Sequence, residues 1–123
     1  MGTQEIVDRY VAVWSEPDAG ARRKAIGDLW APGGTEFVEG VRFTGHPELA
    51  DRVAEAYGQF VEAGGYTVST AGDVTEHGNI VMFTIRLERA GEVAWAARVF
   101  LVLGEDGLVH QDYQLTVQPL DPG

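Results

Sequence analysis

Apolar residues recur at helical spacing in the first half of the chain and alternate with polar ones in the second half, and this change of period sets the fold class. Ile6, Tyr10 and Trp14 fall on one helical stripe with Val7 and Val11 beside them, and Thr3 is placed to cap that helix. Glu16-Pro17-Asp18 breaks the stripe, and Asp18 is a cap for a second helix whose buried face is Ala25, Ile26, Leu29 and Trp30. Pro32-Gly33-Gly34 ends it. Thr35 to Glu39 reads as a short strand, after which Gly45-His46-Pro47 opens a third helix, with His46 as a cap and Pro47 in the first turn. Leu49, Val53, Tyr57, Phe60 and Val61 form its inner face, and Gly64-Gly65 supplies the stop.

From Tyr66 onward the chain reads as four strands, near 66–76, 79–89, 92–103 and 108–118, divided by glycine-containing turns at His77-Gly78-Asn79, Ala90-Gly91-Glu92 and Gly104 to Gly107. Connections this short make successive strands antiparallel, and helices followed by strands define an α+β domain. In the second strand Val81, Phe83, Ile85 and Leu87 share one face, while Met82, Thr84, Arg86 and Glu88 share the other. In the fourth, Asp112, Gln114 and Thr116 oppose Tyr113, Leu115 and Val117. The third strand is apolar on both faces apart from Arg98, so both of its faces must be covered.

Length and charge narrow the classes of function. The 123 residues fit one domain, 1–123. A formal net charge of −10 makes nucleic acid and anionic membrane surfaces poor partners. Without cysteine there is no disulfide, thiolate nucleophile or sulfur-rich metal site, and the three histidines lack the spacing of a metal centre. No window is apolar enough for a membrane span, and the N-terminus lacks a signal-peptide pattern, which points to the cytoplasm. No glycine-rich phosphate loop occurs, and no cofactor is expected.

The order of these elements resembles the nuclear transport factor 2-like superfamily, in particular its SnoaL-like members. Tyr10-x-x-x-Trp14, Leu29-Trp30-Ala31-Pro32, Phe43-x-Gly45, and Asp106-Gly107-Leu108-Val109 leading into Asp112-Tyr113-Gln114 carry the resemblance. It implies a cone-shaped α+β barrel, with three N-terminal helices packed on a strongly curved antiparallel sheet around one pocket. The superfamily includes ketosteroid isomerases, limonene-type epoxide hydrolases, polyketide cyclases, dehydratases and non-catalytic binding proteins, so fold alone selects no reaction. The isomerase's oxyanion tyrosine matches Tyr10, but its second donor, a carboxylic acid, falls on Val99, and its general base falls on Val38 beside Glu39. The hydrolase triad falls near Thr84, Arg86 and Gln114 and is incomplete.

The same correspondence implies a pocket holding Asp112, Gln114, Thr84 and Arg86, with Trp14, Trp30, Tyr57, Phe60, Met82, Trp95 and Val99 as apolar wall. Asp112 is the candidate acid/base, with Arg86 and Gln114 as polarising donors and Tyr10 assisting; the alternative for Asp112 and Arg86 is a structural ion pair. Two classes of function stay open. One is a cofactor-independent enzyme, a cyclase, isomerase or hydrolase, acting on a hydrophobic polyketide-like or polycyclic molecule. The other is a binding or partner-interaction module without turnover. A homodimer through an apolar outer sheet face of Val81, Phe83, Ile85, Leu87, Ala96, Phe100, Val102, Tyr113, Leu115 and Val117 is also expected, with Arg98 at its rim or paired with an acid across the interface.

Overall fold

Three helices precede most of the sheet: α1 (Thr3–Ser15), α2 (Ala19–Leu29) and α3 (Gly45–Ala56), the last prolonged by a π-helical segment over Tyr57–Glu62. A computed structural model describes residues 2–120. The strands are β1 (Trp30–Val38), β2 (Val41–Thr44), β3 (Thr67–Thr70), β4 (Thr75–His77), β5 (Ile80–Arg89), β6 (Glu92–Leu103) and β7 (Val109–Gln118). Each helix forms where its stripe predicts. Ile6, Val7, Tyr10, Val13 and Trp14 of α1, Ile26 and Leu29 of α2, and Leu49 and Val53 of α3 are buried. Asp18 caps α2 through a 2.8 Å bond from the Ala21 amide, whereas Gly2, not Thr3, is the cap residue of α1.

The sheet runs β2-β1-β7-β6-β5-β3, with β4 paired to β5 as well. The α+β layering and the curved sheet agree with expectation, but the sheet is mixed and open. β1 lies parallel to β7, so β2 and β3 are left as edges and no barrel closes. A parallel neighbour needs a long connection, and here nearly the whole chain between β1 and β7 provides it. Register shifts between Trp30 and Thr35, Leu87 and Glu88, Ala96 and Ala97, and Val102 and Leu103 bend the strands, since each bulge adds local twist.

Two sequence expectations shift at β1. Helix α2 stops at Leu29, and Trp30 is already extended (φ −93°, ψ 143°), so Trp30 starts a strand instead of completing a helical face. Pro32-Gly33-Gly34 then lies inside β1, in the irregular stretch where the ladder to β7 is interrupted. At Gly34 a Cβ would sit 3.0 Å from the carbonyl oxygens of Ala31 and Val109, an approach that only glycine makes comfortably. Glu39, at φ 45°, and Gly40 turn the chain into β2, which the sequence reading omitted. His46 does not cap α3. Its ring Nε2 lies 2.9 Å from the Trp30 carbonyl oxygen and ties α3 to the start of β1.

The helices cover the concave face of the sheet, where Val81, Phe83 and Ile85 meet Ala97, Val99, Leu101 and Val109. Cross-strand pairing fixes this assignment: Phe83 opposes Val99, Ile85 opposes Ala97, and Leu101 opposes Asp112. Burying side chains such as Phe83 and Leu101 contributes roughly 1.5–3 kcal/mol each. The convex face carries Met82, Thr84, Arg86, Arg98, Phe100, Tyr113, Leu115 and Val117. The expected outer set is therefore partly inverted, because four of its ten residues, Val81, Phe83, Ile85 and Leu87, point to the helices. Among the described residues no helix is long and apolar enough to cross a membrane.

Candidate active site beneath an apolar pocket

Alternation along β7 puts Asp112, Gln114 and Thr116 on the concave face, and the parallel register sets Glu36 of β1 opposite Asp112 and Val38 opposite Gln114. Above them α1 supplies Tyr10 and, one turn on, Trp14, while α3 supplies Arg52 between the buried Leu49 and Val53. A continuous polar chain results. Gln114 Nε2 donates to the Tyr10 hydroxyl oxygen at 2.7 Å, and the Tyr10 hydroxyl donates to Asp112 Oδ2 at 2.8 Å. On the other side Arg52 Nε donates to Glu36 Oε1 at 3.0 Å.

Tyr10, Glu36 and Asp112 are wholly buried. Burial raises the Asp112 carboxyl well above the usual carboxylate range, and the negative charge of Glu36 and its hydrogen bond with that carboxyl push it further. Asp112 therefore keeps its proton where an ordinary aspartate has lost it. Glu36 Oε2 and Asp112 Oδ1 have no other partner, so a proton held between the two carboxyls satisfies both. Burial likewise pushes the Tyr10 phenol up, with Asp112 and Glu36 adding to the shift. The Tyr10 ring is enclosed by Trp14, Trp30 and Phe83, with centroids 6.0, 5.6 and 5.5 Å away.

A cavity of about 230 Å³ lies against this chain. Its wall is mostly apolar, with Trp14, Phe60, Ile85, Leu87 and Trp95 among its residues, and its polar members are Arg52, Gln114 and Thr116. Phe60 and Val61 reach it from the π-helical segment, a geometry that recurs at functional sites. The two ends of the polar chain, Arg52 and Gln114, touch the cavity, while its middle members lie one layer below. Arg52 is fixed further by stacking over Trp14 and Phe43, at 5.2 and 5.5 Å.

The structure brings together only part of the set expected from the sequence. Trp14, Phe60, Trp95 and Gln114 line the cavity; Tyr10, Trp30, Val99 and Asp112 are buried in the core beside or beneath it. Thr84, Arg86 and Met82 stand on the convex face, away from Asp112. Thr84 donates to Asp73 through its amide and hydroxyl at 2.9 and 2.7 Å, and Arg86 Nη2 donates to the Thr70 carbonyl at 2.8 Å. Neither an acid/base partnership nor an ion pair of Arg86 with Asp112 exists. The expectation sets Thr84 and Arg86 on the same face as Asp112, whereas the β5–β6–β7 register puts Ile85 there. Tyr57 packs under Arg22, 4.7 Å from its guanidinium, and is no part of the cavity wall. Glu39 sits at the β1–β2 turn, where it accepts from the Thr116 amide at 2.7 Å.

The sequence reading missed Glu36 and Arg52. Both had a signal: Glu36 is a charge inside the apolar β1 run, and Arg52 lies three residues after Leu49, on the edge of the inner stripe of α3.

No protein-family model matches the chain, and no curated protein matches it in sequence. Solved structures do. A candidate isomerase of the SnoaL-like family from Agrobacterium tumefaciens superposes with a TM-score of 0.82 at 24% identity, over 92% of this chain and 95% of the other. An NTF2-like protein of unknown function from Cytophaga hutchinsonii gives 0.68 at 13% identity, over 94% and 90%. A candidate polyketide cyclase from Sinorhizobium meliloti gives 0.63 at 17% identity, over 93% and 99%. Identities this low establish architecture and leave the reaction open. The chain thus has the nuclear transport factor 2-like fold that its resemblance to that superfamily implied.

Proposed function

We propose that this chain is a SnoaL-like small-molecule-binding protein whose pocket holds an apolar molecule by one polar end, where Arg52 and Gln114 polarise it without a cofactor. The observation that carries this reading is the buried chain Gln114–Tyr10–Asp112–Glu36–Arg52, with both ends at the wall of one apolar cavity. The direction of its bonds matters. Because the Tyr10 hydrogen goes to Asp112 Oδ2, Tyr10 accepts from the Gln114 amide nitrogen, and Gln114 must turn its carbonyl oxygen elsewhere. Among the described residues nothing donates to Gln114 Oε1 and nothing accepts from the Arg52 Nη groups. The pocket therefore offers one acceptor and one cationic donor. Asp112 and Tyr10 act as positioning residues in this arrangement, and Arg52 and Gln114 are the groups that touch substrate. The neighbouring folds include the candidate isomerase and the candidate polyketide cyclase, which supports an enzyme of this kind.

Mass spectrometry of small molecules extracted from the freshly purified protein tests this directly. A copurifying apolar, oxygen-bearing molecule is the expected finding. Thermal shift then separates ligand classes: two-ring aromatics should raise the melting temperature, while nucleotides should not. A ligand at a hundred times its Kd adds about 2.7 kcal/mol of stability, so a true ligand is readily seen. Stabilisation by nucleotides alone would overturn the proposal. The non-catalytic alternative predicts the same binding with no chemical change in the ligand on prolonged incubation.

A second copy of the chain is the proposed partner of the convex face. Phe37 and Tyr113 stack there at 4.8 Å, and Leu115 and Val117 are 51% and 59% exposed, apolar surface that a second copy would cover. Arg98 does not wait for that partner, since it already pairs with Asp73 at 3.0 Å within the chain.

A further inference from the structure

We propose that the pocket takes a one- or two-ring aromatic or conjugated molecule through a single hydroxyl, phenolic or enolic, which donates to Gln114 Oε1 and accepts from an Arg52 Nη group. This rests on the small-molecule reading above and narrows it.

Size comes first. An apolar cavity of about 150 Å³ accepts benzene, and pockets for drug-sized ligands run to roughly 300–1,000 Å³. At about 230 Å³ this cavity has room for one or two rings, smaller than the polycyclic molecule expected from the sequence. The ring faces of Trp14, Phe60 and Trp95 in its wall suit a flat partner.

Convergence of the polar groups comes next. Arg52 is anchored on Glu36, and Gln114 lies diagonally across the β1–β7 ladder from Glu36, one position beyond the Glu36–Asp112 pair on the same face. Arg52 and Gln114 line the same small cavity, so one ligand atom can meet both. One hydroxyl oxygen is both donor and acceptor, so it satisfies Gln114 and Arg52 together, whereas a ketone leaves Gln114 Oε1 unpaired. Charge settles the class. Glu36 already opposes Arg52, and Asp112 keeps its proton, so the site is balanced before a ligand arrives. A carboxylate would bring an uncompensated negative charge close to Glu36 in an apolar enclosure, which is costly.

Four probes with one ring system test the inference by calorimetric titration: naphthalene, 2-methoxynaphthalene, 2-naphthol and 2-naphthoate. The expected order is 2-naphthol tightest, the methoxy compound about tenfold weaker, the effect of one hydrogen bond, and naphthalene weaker again. 2-Naphthoate should bind less tightly than 2-naphthol. Gln114→Leu should erase the advantage of 2-naphthol over the methoxy compound. The double variant Glu36→Gln/Arg52→Met, which removes both members of the pair and so strands no buried charge, should erase the advantage of the methoxy compound over naphthalene. In the wild type, the Arg52 Nε and Nη resonances should shift with 2-naphthol and stay still with naphthalene, a readout that needs no variant. If the hydrocarbon binds and 2-naphthol binds no better, or if 2-naphthoate binds best, the hydroxyl assignment is wrong while the pocket stands. If none of the four binds, the small-molecule reading falls with it.

Discussion

Replacing Asp112 by asparagine should flatten the pH dependence of stability while leaving the fold intact. Asparagine copies the protonated acid: its Oδ1 can accept from the Tyr10 hydroxyl as Asp112 Oδ2 does, and its Nδ2 can donate to Glu36 where the acid proton does. Only the titration is lost. In the wild type the folded protein holds a proton on Asp112 that the unfolded chain releases near pH 4, about the ordinary aspartate value of 3.9. A group raised in this way gives its full stabilisation below the unfolded value, and that stabilisation is lost as pH climbs through the raised folded value. Within that window the folded state binds up to one more proton, so wild-type stability should fall by as much as about 1.4 kcal/mol per pH unit relative to the variant. In melting temperature that is roughly 5 °C per pH unit for a domain of this size. Asp28, Glu39, Asp73 and Asp106 are all shifted downward and so act in the opposite sense, but both proteins contain them and they cancel in the difference. Urea titrations of both proteins in steps from mildly acidic to neutral pH measure it. Parallel stability curves would show that Asp112 is an ordinary carboxylate, and the proton shared with Glu36 would have to be abandoned.

Tyr10→Phe removes the hydroxyl that joins Gln114 to Asp112, leaving a buried amide and a buried carboxyl oxygen short of a partner; about 1–3 kcal/mol per group should appear as lower urea stability, and no loss would argue against the hydrogen-bond chain. Gly64→Ala puts a Cβ 2.7 Å from the Phe60 carbonyl oxygen and 2.9 Å from the Tyr66 ring, so it should cost about 1–3 kcal/mol and weaken ligand binding by moving the π-helical wall; wild-type affinity in the variant would contradict that coupling. Phe100→Asp, on the convex face, should yield monomers in light scattering where the wild type gives dimers, and a wild-type mass of 13.3 kDa at micromolar concentration would leave that face without the proposed partner.

The sequence reveals the helices and the β5–β7 meander because each repeats its period long enough to be unambiguous. The π-helical segment is harder to see, since Phe60 and Val61 fit an ordinary helical stripe equally well. What alternation alone could not supply was the phase between strands. Asp112 and Gln114 face inward with Ile85, not with Thr84 and Arg86, and that depends on a pairing register that no single strand contains. Glu36 shows as a charge within β1, but its partner is set by a parallel pairing across most of the chain, which local patterns do not encode.

That pairing also has a kinetic side. Tyr10 and Asp112 are separated by 102 positions, and Glu36 meets Asp112 only when the first strand docks against the last. Until β7 is available, Glu36 lacks its acid partner and gains by remaining in water, so the closing of the sheet and the burial of the carboxyls must occur together. Contacts this distant in sequence carry a large loop-closure cost and slow the search for the native state. A chain shortened before Val109 should therefore lack the cooperative unfolding transition of the full protein, with no smaller folded core left behind; a sharp melt in such a truncation would show that the helices and β5–β6 hold together on their own. During synthesis, β7 is made after the other described strands, and it is the one that completes the site.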